Sequence, residues 1–417
     1  MKDDVGIKVD MPLKGVRVLD VSHVLAGPYC TLLLADLGAE VIKVEHPDGG
    51  DMTRKLPPMV NDEKGCSISG RFSALNRNKK SLVLDLRSEK GVKVFKSLYN
   101  VSDVMVENFH PGTMNKLGLG YDVLKELNHK LVYASISGFG QLDKGAGPYV
   151  NRPAFDMVAQ AMSGLMNVQG EPGGLPQRVG VSIIDVFTGT LCAFGIMVGL
   201  HRARITGEGC HVDSALYDAA ISLMEVGIMR YSLTGKEFPR NGSSPFGIYP
   251  YPNGAFRAKN GGVVVIALIG EKHWTEFCKL IGRPDLLSHP KLAKTLEPEE
   301  LLKNLEQIAL PVIEDWVGER TREEVVELLL KHDLPSGPVN TMADIFMCPH
   351  VVARNMLVDV GISSSSEKKF KFAGMPVKFS NFDDSLSEYA PPPLLGEHTE
   401  DILKTVLSLE AKEIERV

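Results

Sequence analysis

The chain has 417 residues, 44% of them hydrophobic and 24% charged, which excludes a disordered or fibrous protein and supplies core-forming material for more than one domain. A formal net charge of -6 argues against a general nucleic-acid binder, though it leaves room for a local basic patch facing a phosphorylated small molecule. Six cysteines (Cys30, Cys66, Cys192, Cys210, Cys278, Cys348) form no C-x-x-C pair, which argues against disulfide and zinc frameworks.

The opening "MKDDVGIKVD" has neither an apolar signal region nor arginine-rich transit character, and no uninterrupted apolar run reaches spanning length. The expectation is a cytoplasmic protein without membrane or nucleic-acid partners. In chain order, "GVRVLDV" predicts a buried strand, "SHVLAGP" a turn, and "YCTLLLADLG" a helix entered through Pro28 and closed near Gly38. Strand "AEVIKVE" follows, then strand "SLVLDL", a helix begun by Ser88, strand "DVMVENF", a helix near "YDVLKELN" and strand "LVYASISGFG". Strands alternating with helices imply a mostly parallel sheet, so the first lobe reads as doubly wound α/β.

Helices are next expected over "FDMVAQAMSGLMNV" and "TGTLCAFGIMVGLHRARITG", then strand "CHVDSAL" and a single helix over "YDAAISLMEVGIMRYSL". The Gly/Pro/Ser-rich stretch "NGSSPFGIYPYPNG" at 241–254 reads as a linker or active-site loop. Beyond it, "AFRAKNGGVVVIALI" predicts two strands joined by an Asn-Gly turn. The resulting division is a large domain at 1–225 and 335–417, a linker at 226–239 and a small α+β domain at 240–334.

Several residues invite chemistry. Glu45, ending the second strand, stands where a ribose-binding acid would sit in a dinucleotide-binding fold, but "SHVLAGP" lacks the G-x-G-x-x-G turn, which demotes an NAD-dependent oxidoreductase. Arg77, Lys79, Lys80 and Arg87 cluster around one strand, suited to a phosphate-bearing ligand or to plain surface charge. Asp156 and Asp185 each sit beside a helical segment, so N-capping explains either without catalysis. Asp185 in "GVSIIDVFTG" is nonetheless an acid among apolar neighbours, where an unpaired carboxylate is costly.

At these residues the chain resembles the class III CoA-transferase family, which includes formyl-CoA and carnitine CoA-transferases. The likeness runs through "LKGVRVLDVSHVLAGPYCTLLLADLGAEVIKVEHPDGGDMTR", "NRNKKSLVLDL", "DVMVENFHPG", "GVSIIDVFTG" and "GPVNTMADI" to "PPPLLGEHTEDIL". The resemblance implies a Rossmann-like large domain formed by both chain ends, a small domain, and a homodimer of interlocked chains. It implies that Asp185 is a nucleophile passing through an aspartyl mixed anhydride and an aspartyl-CoA thioester, with Asp156 as a neighbouring acid that positions substrate or manages a proton.

For coenzyme A it implies contacts from His23, Ala26, His46, Leu84, Arg87, Asn108, Phe109, Lys116 and Leu117. Coenzyme A would be a substrate, with no tightly bound cofactor and no metal. Leu25 replaces a glutamine of the formyl-CoA transferases, and the 241–254 stretch lacks their glycine-rich lid. Both departures favour a larger acid, such as a dicarboxylate with a succinyl-CoA-type donor, whose second carboxylate would meet Arg54, Arg152, Arg178 or Arg240. The alternative within the fold is an α-methylacyl-CoA racemase; its histidine aligns with Phe155, which cannot act as a base.

Overall fold

The structure is a computed structural model that describes residues 11–142, 146–237, 240, 242, 251–293, 295–364, 366–380, 389–410 and 414. Of the stretch read as a loop at 241–254, residues 241 and 243–250 lie outside those described. The chain divides into two compact units, one of Met1–Leu165, Arg178–Gly235 and Pro349–Val417, the other of Met166–Gln177 and Lys236–Cys348.

The first unit is mixed α/β. Strand β1 (Arg17–Asp20) is followed by β2 (Glu40–Glu45), the short hairpin of β3 (Met59–Asn61) and β4 (Ser67–Ser69), then β5 (Lys79–Val83), β6 (Val104–Glu107), β7 (Val132–Ser137) and β8 (His211–Ala215). Six of these make one sheet in the order β5-β2-β1-β6-β7-β8, every neighbouring pair parallel. Alternate residues point to opposite faces of a strand, and here the two faces feed two cores. Val18, Val41, Val104 and Val132 pack with helices Ala26–Asp36 and Ile183–Thr206, while Leu19, Ile42, Leu82 and Met105 pack with helix Glu89–Asn100 and, through Ile402 and Leu403, with helix Thr399–Thr405. Burial on both faces is why these strands read as near-continuous β-branched runs.

Three helical expectations change. The helix begun by "FDMVAQAM" spans only Asp156–Met162, because Gly164 takes a φ of 87°, the left-handed region that ends a helix. The helix expected over 217–233 divides into Leu216–Ser222 and Glu225–Thr234, with the Ser222 hydroxyl donating to the Ala219 carbonyl at the break. Helix Ile183–Thr206 also starts earlier than expected. Its 24 residues are long and apolar enough, by length and composition alone, to cross a membrane, although Asp185 and the basic residues after Leu200 interrupt the apolar run. It packs against helix Ala26–Asp36, β7 and β8, but Phe194 is 69% exposed and Ile205 69%.

The second unit holds β9 (Asn253–Arg257), β10 (Val263–Ala267) and β11 (Ser336–Pro338) in an antiparallel sheet ordered β11-β10-β9. Its core gathers Phe256, Val264, Ile266, Phe277, Ile313, Trp316 and Val317. Pairing with β10 keeps residues 336–338 in this unit. Strands β12 (Leu357–Gly361) and β13 (Lys369–Ala373) form a hairpin in the tail.

Candidate active site

The strand order places a reversal at β1. The chain proceeds from β1 to β2 and β5 on one side, then returns to lay β6, β7 and β8 on the other. Loops leaving the carboxyl ends of β1 and β6 therefore diverge and open a crevice, the usual ligand position in a parallel sheet. Both loops line a cavity of about 250 Å³: His23, Val24 and Ala26 from the first, Asn108, Phe109 and His110 from the second. The Asn108 side chain ties them together, accepting from His23 N at 2.7 Å and donating to His23 O at 2.8 Å. The His23 ring packs edge-on against Phe109 with 4.9 Å between centroids.

The β1 loop needs that support. Val24 has a φ of 67°, a left-handed conformation costing a β-branched residue roughly 1–3 kcal/mol. A buried ionic network holds it there. Val24 N donates to the Asp51 carboxylate at 3.2 Å; Asp51 pairs with Lys43 at 3.2 Å; Lys43 Nζ donates to Ser22 O at 2.7 Å. Behind them Lys79 pairs with Asp20 at 3.0 Å, and Asp20 also accepts from Ser22 and Thr31.

Burial alone would raise the Asp20 carboxyl, but Lys79 and Lys43 outweigh it and hold it well below the usual range. Burial brings Lys79 down to about 8, which leaves it charged at neutral pH. Burial, helped by Lys43, pushes His23 down, so its ring is neutral at pH 7. Gly27 sits so close to this loop that a Cβ there would lie 2.2 Å from Ser22 Cβ.

Asp185 lines the same cavity. It stands in the first turn of helix Ile183–Thr206, so it does not precede the helix as a cap. No described group donates a hydrogen bond to its carboxylate. Burial raises that carboxyl first and the charge of Asp156 second, to about 7.

Asp156 does not cap its own helix either; it caps the other one. Its Oδ1 accepts from Ile184 N at 2.7 Å and from Asp185 N at 3.3 Å, while Oδ2 accepts from Gln160 Nε2 at 2.5 Å. Gln160 Oε1 in turn accepts from Val179 N at 2.9 Å, which fixes the amide orientation. A buried acid from one helix thus satisfies orphan donors at the start of the next and sets the Asp185-bearing turn in place. The helix Ile183–Thr206 reaches the crevice because Gly189 allows close contact, a Cβ there lying 2.5 Å from Ala26 O.

Of the residues expected to contact coenzyme A, His23, Ala26, Asn108 and Phe109 join Asp185 in the cavity. Leu84 is 3% exposed and its side chain belongs to the sheet core, so it can offer a ligand only backbone. His46 and Arg87 touch each other through Nε2 and NH2, beside Asp85. Lys116 is exposed at the end of the short helix Thr113–Lys116, and Leu117 packs against the core next to it. These five lie outside the cavity lining.

Phe155, exposed, stands in the cavity wall. Residues that sequence reasoning passed over are Asp20, Lys43 and Asp51, which hold the β1 loop. Their one signal was a lysine inside the apolar strand "EVIKVE". Among the described residues no group of three or more His, Cys, Asp or Glu is placed to hold a metal.

Comparison with known proteins identifies the family and agrees with the fold. The sequence profile of CoA-transferase family III matches residues 13–399. A succinyl-CoA:mesaconate CoA-transferase from Haloarcula hispanica is 40% identical over 392 residues, covering 94% of this chain and 95% of the relative. A succinyl-CoA:glutarate CoA-transferase from Mus musculus is 36% identical, covering 97% and 89%. The crystal structure of a CAIB/BAIF family protein from Brucella suis superposes with a TM-score of 0.81 at 32% identity, over 95% of this chain and all of that one.

Proposed function

The chain belongs to CoA-transferase family III, and from that premise we propose that it moves coenzyme A from a succinyl-CoA-type donor to a dicarboxylic acid through covalent work by Asp185. The observation that carries the mechanism is the placement of Asp185, with no hydrogen-bond donor on its carboxylate among the described residues, in one cavity with the two loops of the sheet's switch point.

In the proposed cycle the Asp185 carboxylate attacks the thioester carbonyl, forming a mixed anhydride and expelling CoA thiolate. The thiolate attacks the aspartyl carbonyl, which releases the donor acid and leaves an aspartyl-CoA thioester. The acceptor carboxylate attacks that thioester to give a new anhydride and thiolate. Attack of the thiolate on the acceptor's acyl carbon then forms the product and restores Asp185. No proton is gained or lost overall, and exchange of one carboxylate for another is nearly isoenergetic.

Partial burial favours this course. A carboxylate whose charge is poorly solvated is the better nucleophile, and an anhydride kept from water is spared hydrolysis. His23, Ala26, Asn108 and Phe109 are assigned to the thioester end of coenzyme A. His46, Leu84, Arg87, Lys116 and Leu117 are assigned to its nucleotide end, with Arg87 and Lys116 toward the phosphates. Asp156 is assigned to positioning, since its oxygens are committed to the backbone of Ile184 and Asp185 and to Gln160. The relatives named above act on mesaconate and glutarate, which supports the diacid reading.

We also infer a homodimer, supported by the exposed apolar row on helix Ile183–Thr206 and by Leu233 at 76% exposure on helix Glu225–Thr234. The function is tested with Asp185→Asn. The variant should bind CoA as wild type does while exchange of labelled acid into acyl-CoA falls by at least about 10⁴-fold. Exchange at a wild-type rate would refute the assignment.

A further inference from the structure

Of the four arginines available for a diacid's second carboxylate, the structure separates one from the others. Arg54 is committed: its guanidinium meets both oxygens of Glu45, at 2.8 and 2.6 Å, and donates to Pro393 O. Arg178 is exposed, and neither it nor Arg240 is among the residues lining the Asp185 cavity. Arg152 lines the cavity that contains Asp185. It forms no ion pair and no side-chain hydrogen bond among the described residues.

The Arg152 guanidinium lies over the ring of Tyr149, 3.8 Å from its centroid, a stacking that orients the planar fork while leaving its N–H edge free. The segment carrying it is also fixed. Arg152 N donates to Tyr149 O at 2.8 Å, and the neighbouring Asn151 carbonyl lies 3.2 Å from His110 Nε2 on the loop after β6. Among the described lining residues Arg152 is the sole arginine or lysine.

A diacid entering this cavity carries one carboxylate to react and one that does not. With Asp185 ionised, the unreacting carboxylate adds a second negative charge, and Arg152 is the one arginine or lysine among the described lining residues to receive it. We propose that Arg152 is the specificity-determining residue of the site, holding the distal carboxylate of the acyl donor and acceptor through its free bidentate edge and so selecting diacids over monoacids. This rests on the CoA-transfer reading above.

The test compares wild type, Arg152→Gln and Arg152→Lys with succinyl-CoA as donor and a matched pair of five-carbon acceptors, glutarate and valerate, measuring kcat/KM for each. In Arg152→Gln the glutarate-to-valerate ratio should fall about 100-fold, the loss expected for a charge-assisted bidentate contact. Arg152→Lys, which keeps the charge and loses the fork, should recover part of that ratio. An unchanged ratio in Arg152→Gln, with both acids slowed alike or neither slowed, would overturn the proposal and leave CoA transfer standing. Failure of the wild-type enzyme to form acyl-CoA from either acid would instead overturn the CoA-transfer reading, and this assignment with it.

Discussion

Burial, and then the charge of Asp156, push the Asp185 carboxyl up to about 7, with two consequences of opposite sign. The proposed cycle needs the carboxylate, so kcat/KM should rise with pH through an apparent pKa of about 7 and level off above it. Stability runs the other way. The folded state holds the proton more tightly than the unfolded state does, so the site destabilises the fold increasingly as pH climbs from the ordinary carboxyl range, near 3.8, to about 7.

Asp185→Asn should therefore raise the melting temperature at pH 8 and leave it nearly unchanged at pH 4; an equal gain at both would show that the carboxyl is not perturbed. Asp156→Asn removes the like charge and should shift the activity profile to lower pH. It also sets an amide N–H against Gln160 Nε2, whose orientation Val179 N fixes, at a cost of about 1–3 kcal/mol in chemical denaturation. A profile that stays in place would mean that burial alone raises Asp185.

The sequence pointed to Asp185 through its apolar company. It could not show what Asp156 does, because the partner backbone of Ile184 lies 28 positions along the chain. Capping was the right chemistry attached to the wrong helix. Arg152 was one of four equal candidates for the same reason: only folding shows that Glu45 occupies Arg54 while Arg152 keeps a free edge.

At the level of elements, the site depends on a strained loop and one close helix contact. Lys43 links the two halves of the support, pairing with Asp51 and bonding the Ser22 carbonyl, with none of its side chain exposed. Lys43→Met leaves the Asp51 charge unpaired and should cost about 3–5 kcal/mol in urea denaturation while raising the KM for acyl-CoA. Near-wild-type stability would show that the network is not what holds Val24 in its left-handed conformation.

Gly189→Val would place a Cβ 2.5 Å from the Ala26 carbonyl, and backbone cannot give way as a side chain can. A loss of about 3 kcal/mol is expected, together with reduced turnover from displacement of the Asp185 turn. The parallel strands were legible because they are buried on both faces. Helix ends were less so: the early start of Ile183–Thr206 follows from a cap supplied by another helix, which local propensity does not contain.

For the whole molecule, a sheet of six parallel strands accounts for where the proposed chemistry sits, and a switch point between β1 and β6 accounts for why those two loops meet. The apolar row through Phe194, Val198 and Ile205 belongs to this scale, being unfavourable for an isolated chain in water. Light scattering should report twice the chain mass of 45.5 kDa, and a monomer would remove the homodimer.

The central claim is that Asp185 itself becomes acylated and then carries coenzyme A. It is tested most directly by mixing the enzyme with succinyl-CoA and no acceptor, quenching with hydroxylamine, and mapping the digested protein by mass spectrometry. The account predicts a hydroxamate at Asp185 and no other modified residue. A hydroxamate on a different side chain, or none while acyl exchange proceeds, would contradict it.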